Sequence, residues 1–243
     1  MKAKAATEFL GNRHGADAPP RTIVECEDAA RTYGSGRTAV VAVHGARCRV
    51  LPGMRVAVTG PSGSGKSTLL HLMAGLESPT AGTVSWPGLD GSPQGRPGTV
   101  GVVFQGPSLL PALDVTENIA LPLLVSGESQ DAALDRALTA MRRLGISELV
   151  GKLPDELSGG QAQRVAVARV LASRPVLILA DEPTGQLDHV SADRVITVLL
   201  AAADELGAAL VISTHDEMIA SRLPVRWEMR DGRLLPATTA NED

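Results

Sequence analysis

Gly60-Pro61-Ser62-Gly63-Ser64-Gly65-Lys66-Ser67-Thr68 says more about chemistry than any other nine residues of this 243-residue chain. The Gly-x-x-x-x-Gly-Lys-Ser spacing lets a backbone wrap a phosphate chain, because glycine accepts left-handed turns and close approach. The loop's N–H groups then face inward at the start of a helix, whose dipole favours negative charge. Lys66 is placed to reach the β- and γ-phosphates, and the Ser67 hydroxyl to join a Mg²⁺ shell. The flanks agree. Residues 55–59 predict a buried strand, and residues 67–74 predict a helix stopped by Gly75.

Composition leaves room for that site and excludes several classes. With 44% hydrophobic residues, the chain has enough apolar surface for one large domain or two close-packed lobes. A formal net charge of −4, with no Lys/Arg run, argues against a nucleic-acid partner. No stretch approaches the roughly 18 apolar residues that cross a bilayer. Residues 119–125 come nearest, and Pro122 interrupts them. The first twenty residues lack the apolar core of a signal peptide. Cys26 and Cys48 are too few and too far apart for a disulfide scaffold or a zinc site, which suits a reducing cytoplasm. A soluble intracellular protein is expected.

Short apolar runs alternate with helical patterns along the chain, as in α/β proteins. Residues 1–20 are polar, rich in Ala and Gly, and end in Pro-Pro, which predicts a mobile tail. The continuous apolar runs 100–104, 176–180 and 209–213 predict parallel strands covered on both faces. Leu134, Ala137, Leu138, Met141 and Leu144 follow helical spacing, with Gly145 as the C-cap. Ala192, Val195, Ile196, Leu199 and Ala203 do the same before Gly207. Several Gly and Pro residues make 86–98 an expected exposed loop. No internal repeat is visible.

Asp181 and Glu182 follow one of the apolar runs. A carboxylate there lies at the carboxyl edge of the sheet, beside the phosphate loop, where α/β folds bind ligands. Asp181 suits a Mg²⁺ role, direct or through water. Glu182 is placed to polarise an attacking water as general base. A third segment, Leu157-Ser158-Gly159-Gly160-Gln161, precedes the helical run 162–171. Ser158 is a natural N-cap, and the two glycines leave the helix amides uncovered. Two readings stand for it locally. An ordinary capped helix is the simpler one; a second anion site, gripping a γ-phosphate held by another subunit, is the other.

Taken together, Gly60–Thr68, Leu157–Gln161 and Asp181–Glu182 resemble the nucleotide-binding subunit of an ABC transporter. The likeness runs from about residue 22 to 235 with the motif order kept. It implies an α/β P-loop NTPase (RecA-like) core with a parallel sheet and antiparallel β strands at the N-terminal part. It also implies an inserted α-helical subdomain at about 106–163, within a domain at 21–235 followed by a tail at 236–243. ATP and Mg²⁺ are the implied cofactors, and ATP hydrolysis the implied reaction. By the same resemblance Gln105 falls at the Q-loop, contacting Mg²⁺ or the attacking water, and Asp188 in Gly185-Gln-Leu-Asp188 falls in the D-loop at a dimer seam. His215 in Ser213-Thr-His-Asp216 matches the switch histidine that contacts the γ-phosphate. Tyr33, the one tyrosine of the chain, sits where the family stacks an aromatic on adenine; a buried structural aromatic is the other reading.

A narrower likeness links residues 104–113, 116–123 and 180–188 to the lipoprotein-release, macrolide-export and cell-division ATPases. One departure stands out. Those proteins carry a longer, helix-containing insertion before the Q-loop, where this chain has only residues 87–101. The resemblance implies a head-to-tail dimer, of two copies or with a paralogue, sharing each ATP between Lys66 and Ser67 of one and Ser158, Gly159 and Gly160 of the other. It further implies an integral membrane permease as partner and a peripheral place on the cytoplasmic face of the membrane. Export or extraction of a substrate is the expected task; driving a non-transport membrane complex, of the cell-division or wall-hydrolase type, is the alternative. Leu109, Leu110 and Leu113 suit either a docking groove or the lobe core.

Overall fold

The computed structural model describes residues 21–89, 91–185, 187–235 and 238–239. The expected tail at 1–20, most of the one at 236–243, and Gln186 lie outside the described residues. In chain order the strands are β1 (Val24–Tyr33), β2 (Val40–Val50), β3 (Arg55–Thr59), β4 (Ala81–Ser85), β5 (Val100–Val103), β6 (Leu177–Asp181), β7 (Ala209–Ser213), β8 (Val225–Arg230), β9 (Arg233–Leu234) and β10 (Thr238–Thr239). The helices are α1 (Lys66–Met73), α2 (Val115–Val125), α3 (Gln130–Leu144), α4 (Gly159–Ala172), α5 (His189–Leu206) and the single turn α6 (Glu217–Ala220).

Two sheets result. An antiparallel one has the order β2-β1-β4; the larger runs β10-β8-β3-β7-β6-β5, with β9 also on β8. Strands β8, β3, β7, β6 and β5 are mutually parallel. Every residue of β6 and β7 is buried, as strands covered on both faces require. Their alternation divides two cores. Leu177, Leu179, Ala209 and Val211 join α1 and the antiparallel sheet on one face, while Ile178, Ala180, Leu210 and Ile212 join α4 and α5 on the other. Helices α2 and α3 extend that second core through Ile119, Leu123, Met141 and Leu144.

The helices start and stop where their chemistry dictates. Asp114 and Glu117 form a capping box at α2, Ser129 caps α3, and Gly145 and Gly207 close α3 and α5 in the left-handed conformation. Three places show what the linear reading left out. Pro122 lies inside α2, where burial of Ile119, Ala120 and Leu123 outweighs the one amide it lacks. Segment 86–98 is not simply an exposed loop: Trp86 Nε1 donates to the Met73 carbonyl at 2.7 Å, Leu89 is buried, and the Gln94 carboxamide meets the Gly75 carbonyl. Cys26 and Cys48, distant in sequence, are direct partners across β1 and β2, and both are free thiols. Within the expected C-terminal tail, Thr238–Thr239 pairs with β8.

Candidate functional site

The residues singled out for phosphate chemistry collect at the carboxyl ends of four neighbouring strands. Gly60 follows β3, the Ser213-Thr214-His215 segment ends β7, Asp181 and Glu182 end β6, and Gln105 follows β5. Open α/β sheets bind ligands at this edge. The loop from Gly60 keeps its shape because side chains are sterically barred from it. Gly60 has φ 142°, and a Cβ there would fall 2.1 Å from the Met229 carbonyl oxygen. Gly65 has φ 99°, and its Cβ would fall 2.2 Å from the Ala42 carbonyl oxygen.

Gly65 is also the N-cap of α1, where no side chain caps the first amides. An anion can take those donors. The Ser64 hydroxyl is buried and without a hydrogen-bond partner, a polar group whose desolvation is uncompensated by the chain itself. Lys66 is only 4% exposed, and its Nζ donates to the carbonyls of Gly60 at 2.9 Å and Pro61 at 3.1 Å. Ser67 is exposed on the first turn of α1, and Thr68 half-buried beside it; Pro61, Ser62 and Gly63 are exposed on the loop.

Glu182 gathers the remaining groups. Lys66 Nζ lies 3.5 Å from its Oε1, while Gln105 Nε2 and His215 Nδ1 each lie 3.4 Å from its Oε2. The backbone of Glu182 has φ 41°, a conformation that costs a non-glycine residue about 1–3 kcal/mol. Ser213 holds it there. The Glu182 amide donates to the Ser213 hydroxyl at 3.0 Å and to the Ser213 carbonyl at 3.1 Å. The same hydroxyl donates to Asp181 Oδ1 at 2.5 Å, and Asp181 is 5% exposed. Ser213 therefore sets both carboxylates, a role that its place in the Ser-Thr-His-Asp segment hinted at only by proximity.

The donor set fits a hard divalent cation: the hydroxyl of Ser67, the carboxylate of Asp181 and the amide oxygen of Gln105. Among the described residues no group of three or more His, Cys, Asp or Glu forms a metal cage. Such an ion would complete its shell with phosphate oxygens and water.

The α4 terminus is built differently. Ser158 and Gln161 close a capping box, with Gln161 Oε1 accepting from the Ser158 amide at 2.9 Å and Ser158 Oγ from the Gln161 amide at 3.3 Å. Ser158 and Gly159 are exposed, and a Cβ on Gly159 would meet nothing within 4 Å. A Cβ on Gly160 would touch only Leu187, at 3.4 Å, while Leu157 packs partly against the second core. Asp188 caps α5 by accepting from the Val190 and Ser191 amides at 3.0 Å. The Ser191 hydroxyl, donating at 2.7 Å, and then these amides hold the Asp188 carboxyl below the usual carboxylate range. Tyr33 is 37% exposed, so it is no core aromatic; the Arg31 guanidinium covers one face at 4.9 Å, and its hydroxyl donates to Glu77 at 3.3 Å.

Leu109 packs against the second core, whereas Leu110 is 45% exposed and Leu113 half-buried. Asn118 fixes this turn by accepting from the Leu110 amide and donating to the carbonyls of Leu110, Leu113 and Asp114. Asn118 belongs to no phosphate motif, and Ser213 only opens the segment that carries His215. Only its polarity within an apolar helix marked Asn118 as special.

Comparison with known proteins agrees with this geometry. Residues 43–185 match the model of a family described as ABC transporter. The lipoprotein-releasing system ATP-binding protein LolD of Shewanella denitrificans is 39% identical over 216 residues, covering 86% of this chain and 93% of the relative. LolD of Gluconobacter oxydans is 42% identical over 222 residues, with 88% and 96% covered. Among solved structures, the dimeric, ADP- and Pi-bound ATP-binding cassette MJ0796 aligns with a TM-score of 0.82 at 31% identity, covering 90% of this chain and all 100% of that one. The cbiO1 protein of Clostridium perfringens, part of the transporter complex cbiONQ, aligns at 0.76 with 28% identity, covering 90% and 89%. By its motifs, its fold and these matches, the chain belongs to the ABC transporter family.

Proposed function

We propose that this chain is the ATP-hydrolysing subunit of a membrane complex that extracts lipid-anchored proteins from a bilayer. The observation that carries the chemistry is the convergence of Lys66, Gln105 and His215 on Glu182, beside a phosphate loop whose amides the chain leaves uncapped. The substrate class rests on relatives named as lipoprotein-releasing ATPases. In this reading Lys66 and the loop amides hold the β- and γ-phosphates, and Ser67, Asp181 and Gln105 hold Mg²⁺, which neutralises charge developing on the phosphates. Glu182 takes the proton of the attacking water. His215 and Gln105 contact the γ-phosphate, and Tyr33 offers its remaining face to adenine.

Two copies, or one and a paralogue, close head to tail so that Ser158, Gly159 and Gly160 of one face the nucleotide held by the other. Dimeric MJ0796 supports such an assembly. Asp188 lies at the seam. ATP then favours the closed pair by binding it better than the open one, and loss of the γ-phosphate lets the halves part. Among the described residues no helix is long and apolar enough to cross a membrane. In this reading an integral permease supplies the membrane span. The helical lobe, about 106–163, passes the motion on from the cytoplasmic face. Affinity capture of the full chain from detergent-solubilised membranes tests this. An integral protein should co-purify and raise ATP turnover, and a lipid-anchored protein should be released from reconstituted vesicles only with ATP. Release that proceeds equally without ATP overturns the substrate class.

A further inference from the structure

Helix α4 has its N-terminus in one job and its body in another. Two of its side chains, unused so far, reach the segment that carries Gln105. Gln163 is 3% exposed, and its Nε2 donates to the carbonyl of Phe104 at 3.2 Å. Further along, Arg169 Nη1 donates to the Ser108 carbonyl and Nη2 to the Ser108 hydroxyl, both at 3.0 Å. Gln105, Gly106 and Pro107 are thus slung between two anchors on the same helix.

Neither anchor is casual. Ser108 has φ 42°, sparsely populated by residues other than glycine, and the Arg169 fork grips both of its oxygens. Burial pushes the Arg169 guanidinium below its ordinary value. Among the described residues no carboxylate pairs with it, so a half-buried cation donates to two neutral oxygens instead. Helix α4 also runs unbroken for 14 residues from Gly159 to Ala172, so its ends cannot move independently.

We propose that Gln163 and Arg169 are positioning residues that clamp the Gln105 segment to α4 and thereby link the two nucleotide sites of a dimer. This rests on the composite-site reading above. Gln105 reports the γ-phosphate of its own site, and the clamp turns that report into the pose of α4. The far end of α4 presents Ser158 and Gly159 to the site of the partner. Occupancy of one site then sets how well the other is completed, through one rigid rod and two hydrogen-bonded anchors.

The test is steady-state ATP hydrolysis against ATP concentration for the full chain, paired with its copurified membrane subunit. The wild type should show a Hill coefficient approaching about two, the number of sites. Gln163→Leu and Arg169→Met should bring it toward about one, while a fluorescent ATP analogue binds the isolated chain within about twofold of wild type. Arg169→Lys, which keeps a charged donor for Ser108, should recover part of the coefficient. Mere loss of folded protein lowers the maximal rate and leaves the coefficient where it was. A wild-type coefficient above one that survives in both variants overturns the clamp alone. A wild-type coefficient of one, with a Ser158→Arg protein that hydrolyses normally, brings down the composite site and the clamp together.

Discussion

The N-termini of α1 and α4, both proposed above to face ATP phosphates, are built differently. At α1 the cap is a glycine without side-chain cover, Lys66 is buried, Ser64 has an unpartnered buried hydroxyl, and four strand ends wall the site. At α4 the first amides are partly satisfied by Ser158 and Gln161, and the surface around Gly159 is empty. The first terminus is arranged for a ligand to complete it. The second is capped by its own side chains and leaves an open surface at Gly159. In the composite site proposed above, this asymmetry would couple hydrolysis to closure, since neither half alone would surround the nucleotide.

Ser158→Arg attacks the open half and should have the largest effect. Hydrolysis should drop to background, because the new side chain blocks the face presented to the partner's ATP, while nucleotide binding to the monomer stays near wild type. Mixing it with Lys66→Ala protein should restore limited turnover, since one site of the mixed dimer is then intact. A Ser158→Arg homodimer with normal turnover would contradict the difference drawn between the two termini. Glu182→Gln attacks the finished half. Turnover should fall by about 10²–10⁴-fold with ATP still bound, and the protein should accumulate as an ATP-dependent dimer by light scattering. An unchanged rate would remove Glu182 from the chemistry.

Two smaller effects sharpen the contrast further. Leu110→Asp should shift the protein from the membrane to the soluble fraction with nucleotide affinity retained, because this side chain is exposed and is not among the residues proposed to hold ATP. Leu109→Asp should instead destabilise the fold, by about 1–3 kcal/mol in chemical denaturation, since Leu109 packs on the core. Equal behaviour of the two variants would place docking elsewhere. The smallest effect concerns pH at Asp188. Its carboxyl is held low, so its stabilising contribution is present above the ordinary carboxylate pKa of about 3.9 and is lost as pH falls through the lowered folded value. The melting-temperature gap between wild type and Asp188→Ala should therefore be largest near neutrality and close in strong acid. A constant gap would mean that the charge contributes nothing to the cap.

Much of this was legible in the chain. Residues 209–213 were expected as a covered strand and form β7, and the spacing of Leu134 to Leu144 with Gly145 forms α3 with its cap. Local patterns of this kind are readable because period and capping depend on near neighbours. Segment 86–98 is mostly exposed as its Gly and Pro content suggests, but its anchors, Trp86, Leu89 and Gln94 against the end of α1 and the first core, are contacts distant in sequence that composition does not show. Cys26 and Cys48 meet for the same reason: strand register, not chain separation, decides which residues are neighbours.

By itself, the sequence determined the phosphate loop, the acidic pair after β6, the capped start of α4 and the α/β alternation, since each is written in contiguous residues and short-range sterics. Tertiary structure alone decided that Ser213 ties Asp181 to Glu182, that Lys66, Gln105 and His215 meet on one carboxylate, and that Gln163 and Arg169 hold the Gln105 segment. Those contacts join β3, β5, β6, β7 and α4, whose adjacency follows from the crossing order of a parallel sheet. Crossing order is set by which apolar faces bury one another, a long-range outcome that no local stretch of residues encodes.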